Sequence, residues 1–514
     1  LFSWDESTTP VLLAVRERAA EVENSVSELI AITLSDDRLH VLTVPEPFAA
    51  ADFVACPVLH EDGMLAWTQW QQPAMAWDSS CLLVGQLGYH DGRLQLTHPQ
   101  LVAGRIDAGL DGVGLQRPKW ASDGQLRYLS DESGSYQVHS WRPDEKIKQL
   151  TSGDFDHDLP QWTAENLSYA NLANGDLVAQ RLVGGRTQLC RYPTGDVSAE
   201  ILATVSAVKA LTARRDEAFA LLNLPDRPTE IWQLSGAHEP QVLRRAGAAP
   251  AADSIVLPRP LWTQTPRGQV HCWFYPPHPA SQNAKPAALL VVVHGGPTDM
   301  RNDAWSPATQ FWTQRGTAVL EVNYSGSSGF GRTYRNRLRE AWGCADVDDV
   351  LAATQDVIAN ERIDPAKVAI VGSSAGGFTV LSALTRSDVY AAGISKYGIA
   401  DLTKLVGGPK FEARYLDGLV GPWPEAEQRY RDRSPLHRVD QITSPLLILQ
   451  GSADPIVPLE QATAMTQAAR DAGVHVELVV YDGEEHGFSS PEARASSLAK
   501  QAEFLGRIFT LDLC

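Results

Sequence analysis

Residues 367–385, KVAIVGSSAGGFTVLSALT, run an apolar β pattern into a helical pattern with only Gly372-Ser373-Ser374-Ala375-Gly376 between them. Few backbones can make that join. The bend forces its central residue into a strained conformation, and its neighbours must be small, because larger side chains would meet the strand behind or the helix ahead. A G-x-S-x-G turn in this strand–turn–helix setting raises its middle residue, Ser374 rather than Ser373, above the edge of a sheet. The start of the helix offers a favourable field to a developing oxyanion. The competing readings are a simple turn and a glycine-rich phosphate loop, and no Lys follows the glycines as a Walker-type loop requires.

The surrounding sequence supplies the sheet. From about residue 260, apolar runs at 288–294, 317–324, 367–372, 445–451 and 474–481 alternate with helical patterns such as 346–361 and 459–473. Strands separated by helices imply right-handed crossovers and a mostly parallel, doubly wound sheet, with its site at the carboxyl ends of the strands.

The first half has a different pattern: short β segments broken by Asp, Gly, Asn and Pro. PVLHEDGMLAW (57–67), PKWASDGQLRY (118–128) and PQWTAENLSYA (160–170) align, each with a turn pair (Asp62-Gly63, Asp123-Gly124, Glu165-Asn166) before a strand. Leu59, Trp120 and Trp162 then share one position, with weaker copies near 5–15 and 208–220. A period of about 40–50 residues with several strands per unit predicts an all-β propeller, with a pair of β-sandwiches as the alternative. About five units are countable, fewer than closed propellers of this kind often need, so the propeller is expected to lack its first blades. The Ala/Pro-rich stretch 248–258 reads as a linker, dividing the chain into a propeller at 1–253 and an α/β-hydrolase domain at 254–514.

Composition narrows the function. Asp plus Glu outnumber Lys plus Arg by 62 to 44, a net charge of −18 that disfavours nucleic acid and anionic membranes as partners. The apolar run 287–293 is too short to cross a bilayer. The opening LFSWDESTTP has neither a basic n-region nor a long apolar h-region, and no initiator Met. Cys56, Cys81, Cys190, Cys272, Cys344 and Cys514 are scattered without a CxxC, which argues against zinc and against a disulfide framework and points to the reducing cytoplasm. No metal or organic cofactor is expected.

A nucleophilic serine needs a base, and the base needs an acid to orient it, in the chain order Ser, Asp or Glu, His. Only His437, His475 and His486 follow Ser374. His475 reads as part of a solvated strand face with Glu477, and His437 as structural. His486, in YDGEEHGF, lies in a glycine-flanked loop just after a strand, where an imidazole can be delivered to the sheet edge. Asp454, in LQGSADPIVP, ends the preceding strand and is the candidate acid; Asp482 and Glu485 are its rivals by proximity. For the oxyanion hole, one N–H comes from the residue after the nucleophile, Ala375, and the other from VVVHGGPTD (291–299), where Gly296 is nominated with Gly295 as rival. SGSSGFG (325–331) is either part of the site rim or a structural turn, Arg414 reads as a surface ion pair, and Phe378 as core.

These stretches, HGGPT, NYSGSSGFGRTYR, WGCADVDDV, VGSSAGGF, FEARYLDGLVGPWP, RSPLH, LQGSADPIVP and GEEHGF, run in order across about 285–490 and resemble the prolyl oligopeptidase family of serine peptidases, in its acylaminoacyl-peptidase and dipeptidyl-aminopeptidase-like bacterial branch. WTQWQQPAMAWDSS and the first-half repeats resemble that branch's seven-bladed propeller. The resemblance implies Ser374 as nucleophile, Asp454 and His486 as its partners, amides of Gly296 and Ala375 as the oxyanion hole, and short peptides or aminoacyl amides as substrates admitted under the propeller. Where some relatives place a Tyr oxyanion donor, this chain has His294, whose imidazole is then structural. The propeller glutamates that hold a substrate amine in the dipeptidyl branch have no assigned counterpart here. An esterase or amidase acting on non-peptide substrates, an inert propeller binding protein, and a homo-oligomer all remain compatible with the sequence.

Overall fold

The computed structural model describes residues 11–18, 26–34, 37–49, 51–91, 93–162, 168–235, 239–281, 285–408, 410–511 and 513. Cys514 and residues 5–10 of the weak first repeat lie outside them.

Among the described residues, five antiparallel sheets succeed one another from Val11 to Arg245, each in simple up-and-down order; the first has three strands and the others four. Apolar side chains fill the space between each sheet and the next. Leu29, Leu65 and Trp67 join the first two, Ala66, Leu115 and Leu126 the second and third, Leu129, Val138 and Leu177 the next pair, and Leu189, Leu211 and Ala220 the last. Serial face-to-face stacking is the packing of propeller blades. A pair of β-sandwiches would instead stack the sheets two by two.

The blade turns correct the repeat register. Gly63, Gly124 and Gly175 all have positive φ (88°, 79° and 91°). Each N–H closes the same turn, onto the carbonyls of His60, Ala121 and Leu172 at 3.0, 3.0 and 3.1 Å. The third copy is therefore built around Asn174-Gly175; Glu165-Asn166 lies outside the described residues. Asn171, not Trp162, is the counterpart of Trp120. Trp162 sits on the connection between Lys148–Gln149 and Tyr169–Asn171, where a Pro-x-Trp followed by a polar pair mimics the repeat in sequence.

From Arg259 onward one eight-stranded sheet dominates, in spatial order Arg259–Thr265, Gly268–Tyr275, Thr317–Asn323, Ala287–Val293, Ile363–Ser373, Ala392–Lys396, Leu446–Gly451 and Val476–Tyr481. The first three pair antiparallel and the rest parallel. Helices cover both faces: Ala345–Asn360 and Ala375–Leu384 pack into one apolar layer, Pro307–Gln314 and Pro491–Phe509 into the other. His475 immediately precedes the last strand rather than lying in it.

The two halves are bolted together by charge and by aromatic rings. Asp131 of the third blade is fully buried and receives Arg332 at 2.8 Å and Arg335 at 2.5 Å from the helix Gly331–Asn336. The amide of Gly331 donates to Asp156 at 2.8 Å. Phe411 of the hydrolase half packs against Phe53, Trp70, Trp77 and Trp162 of the blades.

Candidate active site

The strand Ile363–Ser373 feeds the helix Ala375–Leu384 with one residue between, Ser374, at φ 54° and ψ −122°. The small neighbours have the predicted reason. A Cβ on Gly372 would overlap the Gly376 carbonyl, one on Gly376 would overlap the carbonyls of Val293 and His294, and one on Gly377 would lie 2.7 Å from the Gly398 Cα. The Ser374 N–H donates to Lys396 O of the neighbouring strand at 3.0 Å, which fixes the elbow from below. Ser373 is turned aside, its side chain hydrogen-bonded to the Tyr397 hydroxyl.

Three of the nominated side chains meet at the strand ends. His486 Nε2 lies 2.9 Å from Ser374 Oγ, and His486 Nδ1 lies 2.8 Å from Asp454 Oδ2. A carboxylate accepts, so Nδ1 carries the proton; Nε2 of the neutral ring is then free to accept from the serine hydroxyl. The Asp454 side chain is buried. Burial alone would push its carboxyl up, but donation from His486 and from the amides of Val457 and Ile456, each 2.9 Å from Oδ1, holds it below the usual range. The sequence rivals are engaged elsewhere or exposed: Asp482 accepts from Ser452 at 3.1 Å, and Glu485 faces solvent. His475 is exposed beside Glu477 at 3.4 Å, and His437 lies 3.8 Å from Asp401.

Several supports of the site were not singled out from the sequence. Glu484 accepts from Ser489 N at 2.6 Å and from Ser490 N, bracing the loop that carries His486. The Tyr397 ring meets the His486 imidazole edge-on at 5.0 Å. Asp346 and Asp349, one helical turn apart and buried, hold Gly343 N and Thr379 Oγ1, and Ser325 N, respectively. The doubled acid in GEEHGF and the acid run in WGCADVDDV are visible in sequence, but nothing in their spacing distinguishes a brace from a solvated face.

His294 is structural. It stacks on Tyr324 at 4.3 Å, donates from Nδ1 to Gly295 O and accepts at Nε2 from Ser327 Oγ, both at 2.7 Å. Burial drives its pKa down to about 4, so it stays neutral. Ser327 thereby gives SGSSGFG its role, a turn that props the HGGP segment. Arg414 pairs with Asp417 at 2.5 Å, and Phe378 is fully buried against Trp342.

Beside Ser374 opens a pocket of about 130 Å³, bordered by Gly296, Ala375 and Ser374 and walled largely by apolar side chains such as Trp342, Ile399, Leu405, Leu416 and Val457. Gly295 packs directly on the elbow, a Cβ there lying 3.4 Å from Ser374 Cβ, while Gly296 borders the pocket. Among the described residues, neither the Gly296 nor the Ala375 N–H donates to a protein acceptor. Glu412 stands at the pocket wall; burial pushes its carboxyl above the usual range, and the opposing pull of His486 does not offset it.

A propeller-capped α/β-hydrolase fold, with a serine, an aspartate and a histidine just beyond the ends of Ile363–Ser373, Leu446–Gly451 and Val476–Tyr481, defines the class. Residues 304–512 match the model of the prolyl oligopeptidase family. A puromycin-hydrolyzing peptidase of Mycobacterium tuberculosis superposes with a TM-score of 0.89 and 30% identity, over 98% of this chain and 77% of that one. The dipeptidyl aminopeptidase BIII of Pseudoxanthomonas mexicana is 33% identical over 44% of this chain, and the acylamino-acid-releasing enzyme of Rattus norvegicus 29% over 43%. Those two matches span 35% and 31% of the relatives' own length. The chain belongs to the prolyl oligopeptidase family.

Proposed function

We propose that this chain is a serine peptidase that hydrolyses short peptides or aminoacyl amides through an acyl-enzyme. His486 Nε2 takes the Ser374 proton as Oγ attacks the scissile carbonyl. Asp454 holds the ring tautomer and stabilises the imidazolium, and His486 then protonates the leaving amine before water repeats the sequence. The N–H groups of Gly296 and Ala375 receive the oxyanion, each donor being worth about 10²–10³ in kcat. The observation that carries this reading is the hydrogen-bonded line Ser374–His486–Asp454 at 2.9 and 2.8 Å, on a serine held at positive φ. The relatives named as dipeptidyl aminopeptidase, acylamino-acid-releasing enzyme and puromycin-hydrolyzing peptidase support amide bonds as the target.

The pocket supports an apolar residue on the acyl side of the cleaved bond. Its volume of about 130 Å³ is close to the roughly 150 Å³ of an apolar cavity that accepts benzene, so branched aliphatic and aromatic side chains fit. A propeller–hydrolase boundary at 253/254 is supported by the change of sheet between the strand ending at Arg245 and the one beginning at Arg259. The five described cysteines are unpaired, which supports a reducing compartment, the cytoplasm.

The test is labelling by a fluorophosphonate together with turnover of a peptide-anilide panel. Labelling and hydrolysis are expected in the wild type and lost in Ser374→Ala, with Leu and Phe anilides cleaved at least tenfold faster than Asp or Gly ones. Turnover confined to simple aryl esters would overturn the peptidase assignment, and an unlabelled wild type would overturn the catalytic one.

A further inference from the structure

We infer that Trp162 of the propeller half is a positioning residue for the oxyanion hole, so that one indole N–H from outside the hydrolase fold sets the geometry of catalysis. This rests on the reading of Gly296 as an oxyanion donor. Trp162 Nε1 donates to Thr298 O at 2.7 Å, two residues beyond Gly296. The Thr298 hydroxyl meets Tyr415 Oη at 2.5 Å, and Tyr415 borders the pocket beside Ser374. Among the described residues, the other hydrogen bonds of this segment come from the hydrolase half: Tyr324 Oη donates to the carbonyls of His294 at 3.1 Å and Pro297 at 3.4 Å, and Ser328 N donates to Asp299 O at 2.9 Å. The short, well-formed bond to the carbonyl of Thr298 is the propeller's.

The indole is itself held. It packs on Trp77 at 4.7 Å between ring centres, meets Tyr415 edge-on at 5.6 Å and lies 6.2 Å from Phe411. Trp77 is in turn fixed through its carbonyl, which accepts from Arg335 at 3.0 Å. A rigid aromatic block of both halves therefore carries the donor. Trp162 also stands off the blade strands, on a connection, whereas Trp120 spends its indole N–H inside the propeller, on Val58 O at 3.2 Å. The residue that mimics a blade tryptophan in sequence faces the catalytic half instead.

The chemistry follows from the position. An oxyanion donor acts only where the negative charge develops, and a misplacement of about 1 Å can cost around 10²-fold. Losing the Trp162 N–H frees the Thr298 carbonyl and lets the Gly296 segment relax, which weakens transition-state binding and leaves ground-state binding in the pocket intact.

Trp162→Phe keeps a ring in the block and removes the N–H. Trp120→Phe removes an equivalent N–H that lies wholly within the propeller and serves as the control. For a peptide anilide, Trp162→Phe is expected to lower kcat about tenfold with KM within twofold. It should weaken a peptide boronate, which forms a tetrahedral adduct, by the same factor as kcat/KM, while a cleaved-product inhibitor binds unchanged. Trp120→Phe should match the wild type in all three. The inference is overturned if Trp162→Phe keeps wild-type kcat, if its loss appears in KM, or if both variants lose activity in proportion to a lowered melting temperature. An inactive, unlabelled wild type would instead remove the peptidase reading beneath it.

Discussion

Ser374 sits at φ 54°, a region that costs a non-glycine residue about 1–3 kcal/mol and persists only when its surroundings over-determine it. Here the surroundings are glycines with backbone against them. That is why the elbow that carries the candidate nucleophile was legible: the requirement for two small residues flanking a serine between a strand and a helix is local, and sequence records local constraints directly. His486 and Asp454 were legible for the same reason, each ending a recognisable strand. The braces were not, because Glu484 and Tyr397 are defined by what folds against them. The elbow yields a prediction. In Gly376→Ala the new methyl would overlap the carbonyls of Val293 and His294, which belong to the next strand's end and cannot swing away. The variant should lower the urea midpoint by the equivalent of about 1–3 kcal/mol with the m-value unchanged. Fluorophosphonate labelling should fall at least a hundredfold, because relief of the overlap moves Ser374 and the Gly296 segment apart. Wild-type labelling of a folded variant would show that the elbow tolerates a wider turn.

At the scale of elements, most of the segments expected in the sheet-and-helix half form to within about two residues, the helix expected at 346–361 as Ala345–Asn360, but the strand expected at 367–372 starts at Ile363, and Arg259–Thr265, Gly268–Tyr275 and Ala392–Lys396 were not singled out. Parallel strands buried on both faces read as continuous apolar runs, and their period is unambiguous. The blades were harder. Their repeat is carried by a turn glycine and little else, so a chance Pro-x-Trp at 160–162 shifted the third copy by one connection. The acid-rich start of Ala345–Asn360 was also opaque, since acids in a first turn are usually solvated. In this helix Asp346 is fully buried, and burial pushes it up to about 6 despite donation from Thr379 and Gly343. Its folded pKa lies above its unfolded value, so folding disfavours the ionised form. The penalty is absent below about pH 4 and complete above about pH 6. Asp346→Asn can keep both partners, accepting from Gly343 and donating to Thr379. Its stability relative to the wild type should therefore rise between pH 4 and 6, by up to about 3 kcal/mol, and then level off. Urea unfolding at several pH values measures it; a difference that stays flat would mean that Asp346 is ionised at no cost.

For the molecule as a whole, the charge that stands out is not the net −18 but the set of ionisable groups that both halves bury. His157 lies in the propeller half, on Tyr136 O at 3.0 Å and Tyr192 Oη at 2.7 Å; His271 and His294 lie in the hydrolase half. Burial holds all three at about 4, and His139 is shifted the same way. A neutral buried imidazole has a folded pKa below its unfolded value near 6.5, so the unfolded chain takes up protons first as pH falls, and stability falls with it. Asp156, held at about 6 beside the inter-half contact to Gly331, and Asp346 work in the opposite sense, since the unfolded chain releases their protons between about 4 and 6. The carboxyls have only begun to titrate at pH 6.5, and the two sets overlap increasingly as pH falls through 6. Between about 6.5 and 6 the histidines lead, since three half- to three-quarters-protonated imidazoles in the unfolded chain give about 2–3 kcal/mol per pH unit, from which the carboxyls subtract roughly 1. Below pH 6 the two carboxyls cancel most of that slope. The melting temperature should therefore drop most steeply just below pH 6.5 and decline more gently towards pH 4.5. His157→Gln, which can still donate to the Tyr136 carbonyl, should flatten the decline throughout, from about pH 6.5 to about 4. A melting temperature that is level from pH 7 to 6 would mean that these imidazoles open to solvent before either half unfolds.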